Sequence, residues 1–291
     1  MGTAGIVGVG NMGGAMARRL LDRGWQVVVR DVVPEREQAL VGCGATRAAS
    51  PAALADACDT VVVAVVDARQ TEDVLFGADG VSASARRGGC VLLCPTLGPS
   101  DVERFTERLR ARGLDSLDAP MSGGPARARD GSMSLMVAGA DAVFERQRPL
   151  LEALSSNVVR VGVRPGDGAR TKLVNNLLAA VNLAGAAEAL ALATRLGLDP
   201  ARTLAVIERS SGQSWIGSDR LPRALAGDLA PRAHTSLLRK DAALAVAMAR
   251  EVRADVPLGE VAALQFARAC EAGCADLDDA SLYDWLRGGR G

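Results

Sequence analysis

The chain has 291 residues, with 34 Lys plus Arg against 34 Asp plus Glu, a single His and a formal net charge of zero. Balanced charge without a basic run argues against nucleic acid or an anionic membrane surface as partner, and 3% aromatic residues leave few platforms for stacking on single strands. With 48% hydrophobic and 23% charged residues the composition is that of an ordinary soluble protein, long enough for one large domain or two ordinary ones.

The first residues lack a basic n-region and begin almost at once on a strand pattern, so they do not read as a signal peptide. Residues 4–9 form an apolar run ending in glycines, and helical spacing follows through Met12, Met16 and Leu20. A second β-rich run covers 25–29 and ends at Arg30-Asp31. Residues 60–66 are almost unbroken Val, as in a parallel strand buried on both faces, and 90–93 read the same way. A helix over 100–112 follows, then strands at 114–117 and 134–138, a helix from about 140 and a strand at 158–161. Strand and helix in alternation predict a doubly wound α/β domain of the Rossmann type.

Beyond a turn-rich junction at 163–168 the helical period takes over. One long helix is expected over 170–196, closed by Gly197 at its C′ position. Asp199-Pro200 opens the next helix with an N-cap and a Pro at N1, and further helices are expected near 233–254 and 257–272. The expected organisation is an α/β domain over residues 1–163 and an all-α domain over 164–291. The apolar stretch 173–187 carries Asn175, Asn176 and Asn182, which makes it too short and too polar for a membrane span and marks a buried helix. Six cysteines at 43, 58, 90, 94, 270 and 274 include two C-x3-C pairs, but the lone His234 has no evident role beside them. No metal site is expected, and reduced thiols in the cytoplasm are the default.

Three segments carry chemistry. Gly8-Val9-Gly10-Asn11-Met12-Gly13 matches G-x-G-x-x-G between a strand and a helix, where the glycines allow a tight turn, close approach of a pyrophosphate and close helix packing. The helix N-terminus adds N–H groups and a positive dipole end. Alone the motif is weak and a structural glycine turn is the plain alternative. Asp31 at the end of the second strand, placed to bond ribose hydroxyls, favours a dinucleotide. Asp31 would repel a 2′-phosphate and so favours NAD; NADP would need Arg30 or Arg36 to hold that phosphate with Asp31 turned away.

Only two of the 34 basic residues are lysines, Lys172 and Lys240. A lysine can cycle a proton when its pKa is depressed, whereas an arginine cannot. Lys172 sits at the start of the long helix, near the positive helix end and beside Leu173, Val174, Leu177 and Leu178, which should bury the helix and lower the lysine's pKa. Asn176, four residues on, shares its face. Lys240-Asp241, taken alone, reads as a solvated pair. Ser122-Gly123-Gly124 ends a short strand, and its hydroxyl and N–H groups suit either a plain turn or a carboxylate.

In combination the blocks GIVGVGNMGGAMA, DAPMSGG, GDGARTKLVNN and RKDAALA, in this order across nearly the whole chain, resemble the β-hydroxyacid dehydrogenase family. The resemblance implies an N-terminal Rossmann domain and a C-terminal helical domain joined by a long helix. It further implies Lys172 as acid/base with Asn176 as its partner on the substrate, and Ser122, Gly123 and Gly124 as the holders of a substrate carboxylate. Gly8, Gly10, Asn11, Met12, Gly13, Asp31, Val65, Thr96 and Lys240 would line the cofactor, with Lys240 and Thr96 toward the nicotinamide. The implied substrate is a small β-hydroxy acid or the matching semialdehyde, and the implied assembly a homodimer or homotetramer through the helical domain. The chain departs from the family's pattern at Ala64-Val65-Val66, at Leu93-Cys94-Pro95-Thr96, at Ala233-His234 and at Arg127, where the family often has a small residue. Arg127 is a candidate for an extra anionic contact. An imine reductase shares this architecture but usually has another residue at the Lys172 position. A non-catalytic dinucleotide-binding module is the third reading, and absorbance at 340 nm separates it from both enzymes.

Overall fold

Short strands, most of them parallel to their neighbours and apolar at the centre of the sheet, build one nine-stranded sheet in the computed structural model, which describes residues 2–84 and 88–288. Its strands are β1 (Thr3–Val7), β2 (Gln26–Arg30), β3 (Thr46–Arg47), β4 (Thr60–Val63), β5 (Cys90–Leu93), β6 (Asp115–Asp118), β7 (Met121–Ser122), β8 (Ser134–Ala138) and β9 (Asn157–Gly162). The spatial order is β3-β2-β1-β4-β5-β6-β8-β7, with β9 also paired to β8. The helices of this unit are α1 (Asn11–Asp22), α2 (Pro34–Val41), α3 (Pro51–Ala57), α4 (Ala68–Phe76), α5 (Val81–Ser84), α6 (Pro99–Arg110), α7 (Gly124–Asp130) and α8 (Asp141–Leu154). The reversal of strand order beside β1 is the switch point at which a doubly wound sheet opens a crevice at its carboxyl ends.

The all-valine strand β4 is buried along its whole length between β1 and β5, as two-faced burial requires. It ends at Val63 rather than at 66, because Val66 has turned outward and Asp67 caps α4, accepting from the Gln70 N–H at 2.8 Å. Two apolar layers flank the sheet, one around Met16, Leu20, Leu135 and Leu151 and the other around Leu54, Leu75, Phe105 and Leu109.

Helix α9 (Asp167–Arg195) is 29 residues long and starts three residues before the expected position. Gly197, in the left-handed region, ends it with the Leu198 N–H on the Ala193 carbonyl. The chain divides into two compact units, Met1–Lys172 and Leu173–Gly291, so the division falls inside α9. The second unit contains α10 (Pro200–Ile207), α11 (Trp215–Leu225), α12 (Thr235–Glu251), α13 (Pro257–Ala269) and α14 (Ser281–Arg287). By length and composition alone α9 is long and apolar enough to cross a membrane. Its Leu183, Ala184, Ala187, Leu190 and Ala191 form instead the core of the helical unit, with Leu204, Leu221, Phe266 and Tyr283.

One expectation fails along α9. Leu173 is fully buried, but Val174 and Leu178 are 61% and 60% exposed. Apolar residues run all round this helix, and a single copy of the chain covers only part of its circumference.

Candidate functional site

The glycine-rich loop leaves β1 through Gly8, whose φ of +87° turns the chain sharply and whose N–H donates to the Arg30 carbonyl at 2.9 Å. A Cβ on Gly13 would stand 1.9 Å from the Gly8 carbonyl oxygen, so α1 can approach the loop only with glycine there. Gly10 is the N-cap of α1 and no side chain caps this end; its first-turn N–H groups and dipole suit a pyrophosphate. Asn11 and Met12 lie in that turn, and Val65 approaches the loop at Gly8, where a Cβ would meet its Cγ1 at 2.9 Å. Thr96 follows β5 and is half-buried.

Asp31 is buried at the end of β2 and turned onto the loop. Its Oδ2 accepts from the Val9 N–H at 2.7 Å and its Oδ1 from the Val33 N–H at 2.9 Å. Arg30 is committed to the buried Glu37 at 2.9 Å, and Arg36 reaches Asp31 at 3.6 Å. Burial works against the charge of Glu37, but the Asp31 N–H and the guanidinium groups of Arg30 and Arg47 more than offset it and hold its pKa below the ordinary value. The charge that remains at this end of β2 is thus balanced between fixed carboxylates and their arginines, and Val32 beside them is apolar and exposed.

The Ser122 loop is carried by β7, where Ser122 pairs with Ser134 of β8. Gly123 and Gly124 both have positive φ, +127° and +75°, a backbone that favours glycine at each position. The Arg127 guanidinium is engaged beyond this loop, at the turn that follows α7. Its Nη2 donates to the Ser132 carbonyl at 2.6 Å and its Nε to the Ser132 hydroxyl at 3.3 Å, with its Cδ packed under Gly123. The guanidinium thus ties α7 to the turn before β8, and an anion contact would be a second task for it.

Lys172 lies in the second turn of α9 and is only 7% exposed. Three residues before it, the Ala169 N–H donates to Asp118 Oδ2 at 2.9 Å. In the helical unit Asn176, also buried, donates from Nδ2 to Asp241 Oδ2 at 2.6 Å and accepts at Oδ1 from Asn175 at 3.0 Å. Lys240 Nζ stands 2.8 Å from Asp241 Oδ1. The Lys-Asp pair is thus no solvated surface pair, because Asp241 is buried and ties Asn176 to Lys240. Lys240 also lines a hollow of about 390 Å³ with Ser236, Arg239, Ala243 and Leu244.

Two carboxylates stand out: Asp118, given no role by the sequence, and Asp241, expected only as the solvated partner of Lys240. Both belong to recognised motif blocks, so position in a block was the available signal. Cys90 and Cys94 are buried thiols pushed up to about 12 by burial, which makes them inert packing residues. Among the described residues no group of three or more His, Cys, Asp or Glu side chains could hold a metal ion.

Comparison with known proteins agrees across the chain. Residues 3–162 match the model of the NAD binding domain of 6-phosphogluconate dehydrogenase, and residues 166–286 that of the NAD-binding domain of NADP-dependent 3-hydroxyisobutyrate dehydrogenase. The chain is 39% identical to the L-threonate dehydrogenase of Cupriavidus necator, over 96% of this chain and 94% of the relative. It is 31% identical to the mitochondrial 3-hydroxyisobutyrate dehydrogenase of Mus musculus, over 97% of this chain and 86% of that one. The crystal structure of 3-hydroxyisobutyrate dehydrogenase from Salmonella typhimurium superposes with a TM-score of 0.92 at 36% identity, covering 98% of this chain and 99% of that chain. An imine reductase from Myxococcus stipitatus in complex with NADP+, 22% identical with a TM-score of 0.69 and covering 98% and 99% of the two chains, shares the fold alone.

Proposed function

The chain belongs to the β-hydroxyacid dehydrogenase family and is an NAD(P)-dependent oxidoreductase acting on the CH–OH group of small hydroxy acids, and on that premise we propose that Lys172 is its acid/base and an L-threonate-like hydroxy acid its substrate. The observation that carries the role of Lys172 is its burial on α9 three residues beyond a helix start held by Asp118. The substrate class rests on the 39% identity to an L-threonate dehydrogenase against 31% to a 3-hydroxyisobutyrate dehydrogenase.

When bound, the nicotinamide takes or gives a hydride at its C4. In oxidation the neutral Lys172 amine accepts the hydroxyl proton as the C–H bond breaks; in reduction the ammonium returns it and stabilises the charge gathering on oxygen. Asn176, its amide orientation set by Asp241 and Asn175, holds that oxygen. The hydroxyl of Ser122 and the N–H groups of Gly123 and Gly124 grip the substrate carboxylate, with Arg127 as a candidate for a further anionic contact. Lys240 would be among the residues that hold the nicotinamide end. The loop around Gly8, Gly10, Asn11, Met12 and Gly13, with Val65 and Thr96, receives the rest of the dinucleotide.

NAD is the preferred cofactor. A 2′-phosphate would meet the Asp31 carboxylate, the apolar Val32 and an Arg30 already committed to Glu37. One plate tests the whole reading: full-length protein with NAD+ or NADP+ and a panel holding L-threonate, 3-hydroxyisobutyrate and other small hydroxy acids, followed at 340 nm. L-threonate should give the highest kcat/KM, at least tenfold higher with NAD+ than with NADP+. A panel without turnover, or a clear preference for NADP+, overturns the corresponding part.

The enzyme works as a homodimer or homotetramer, with a second copy covering the apolar faces left by Val174 and Leu178 of α9 and by Leu258 and Val261 of α13, all at least 59% exposed. Sedimentation should show no monomer for the wild type, and Leu178→Glu should shift it toward monomer; a monomeric wild type rules this assembly out. We place the protein in the cytoplasm, where its six cysteines, all free thiols, are kept reduced.

A further inference from the structure

We propose that Asp118 is a positioning residue: its carboxylate locks the first turn of α9, and with it Lys172, to the strand that delivers the Ser122 loop. The inference rests on the reading of Lys172 as acid/base.

Asp118 is the last residue of β6 and only 3% exposed. Its main chain is held inside the sheet, paired with Leu93 of β5 on one side and Ala138 of β8 on the other. From that fixed base its carboxylate takes the N–H groups of Ala169, at 2.9 Å, and of Gly168 and Gly166. These belong to the orphan donors at the start of a helix. Burial pushes the carboxyl up to about 6 and Asp167 adds to that rise, against the downward pull of the three N–H groups. At neutral pH it is therefore ionised and presents only acceptors to them.

A side-chain cap stabilises a helix start, but it need not come from so far away. Ser50, Asp67, Asp199 and Ser214 cap α3, α4, α10 and α11 from the adjoining residue, each accepting from an N–H three residues on. Helix α9 instead takes its acceptor from 51 residues upstream. A local cap would stabilise the helix as well, yet would leave it unreferenced to the sheet. Gly168 shows how close the fit is: a Cβ there would stand 2.8 Å from the carboxyl carbon and 2.9 Å from each oxygen.

The same strand pairings place the other end of the substrate. Four residues after Asp118 comes Ser122, itself paired to β8. The carboxylate loop and the first turn of α9 are thereby referenced to one strand, β8. Lys172, one turn after Ala169, inherits that position. A proton transfer group must be held to within a fraction of an ångström, and an error of about 1 Å can cost about 100-fold in rate.

The test uses the full-length chain with L-threonate and NAD+, and compares the wild type with Asp118→Asn, Gly168→Ala and Lys172→Ala. Each variant is assayed for kcat and KM, for NADH binding by fluorescence and for thermal unfolding. In Asp118→Asn one of the two carboxylate acceptors becomes an NH2 donor facing the N–H groups of this turn, so kcat should fall about 30- to 100-fold while KM and the NADH Kd stay within about threefold. Gly168→Ala keeps the carboxylate but pushes the turn away from it, and should show the same split; it carries the test alone if Asp118→Asn fails to fold. Folded variants with wild-type kcat overturn the proposal, and so does a parallel loss of kcat, substrate KM and NADH affinity, the mark of a merely structural cap. Near-normal turnover in Lys172→Ala would remove the acid/base reading and this inference with it. An inactive Lys172→Ala beside a fully active Asp118→Asn would remove this inference only.

Discussion

Lys172→Ala is expected to lower kcat by about 10³-fold, within the range that removal of a positioned acid/base costs, while NADH still binds with its wild-type Kd. The side chain lies in the second turn of α9, nearly sealed from solvent, and the nucleotide loop belongs to a separate stretch of the same unit. Removing the amine leaves the hydroxyl proton without an acceptor in oxidation and the carbonyl oxygen without a donor in reduction. Lys172→Arg should fail nearly as badly, because a guanidinium keeps its charge and cannot cycle a proton. Steady-state turnover with a fluorescence titration of NADH checks both statements; activity in Lys172→Arg close to the wild-type level would exclude proton transfer by this residue.

Arg220→Met is expected to destabilise the protein by about 3–5 kcal/mol, the cost of leaving a buried charge without its partner. Arg220 Nε lies 2.6 Å from Asp279 Oδ1, with both side chains nearly buried. Beside them Arg223 holds Asp278, which also accepts from the N–H groups of Arg232, Ala233 and Ala280. Burial pushes Asp279 up to about 7 despite the attraction of Arg220. Burial also opposes the charge on Asp278, but the N–H donors and Arg223 outweigh it and keep its pKa low. A carboxyl whose folded pKa is raised contributes stability that is complete below its unfolded value, near 4, and is lost as pH rises through the folded value. The wild type should therefore lose stability from pH 5.5 to 8, through Asp118 near 6 and Asp279 near 7. Asp278 contributes in the opposite sense, but only in more acid solution. The penalty of Arg220→Met should be largest at pH 8 and smallest at pH 5.5, where Asp279 takes up a proton. Urea unfolding at the two pH values reads this directly, and an equal penalty at both would refute the assignment.

Features encoded by local chemistry were legible in the sequence. A glycine loop, the acid that ends the next strand and a Pro or Gly at a helix end act through their own backbone, and Asp31, Asp199 and Gly197 stand at the strand and helix ends where that logic puts them. The valine run of β4 was legible for the same reason, although its end was set by the cap of α4. Interactions closed over long stretches of chain were not. Asp118 meets Ala169 across 51 residues and Asp241 meets Asn176 across 65, so no window of sequence pairs them. Helix α11 has no clear sequence signal because its buried face includes Arg220 and Arg223, which interrupt an apolar period while satisfying their charges on Asp278 and Asp279. Val174 and Leu178 were expected inside because they are apolar, and their exposure follows from apolar residues on every side of α9.

Because the division between the two units falls within α9, between Lys172 and Leu173, the helix sets a practical rule for exchanging parts between relatives. A recombinant chain spliced at that division would take its lysine from one parent and its asparagine, one turn later, from the other. A splice in the loop ahead of Asp167 would pass the whole rod, about 43 Å long at 1.5 Å per residue, from one parent intact. It would, however, part the rod's first turn from the aspartate that seats it. Asp118 and Gly168 should therefore travel as a matched pair, and libraries that keep both from the same parent should yield more active chimeras than libraries cut by domain alone.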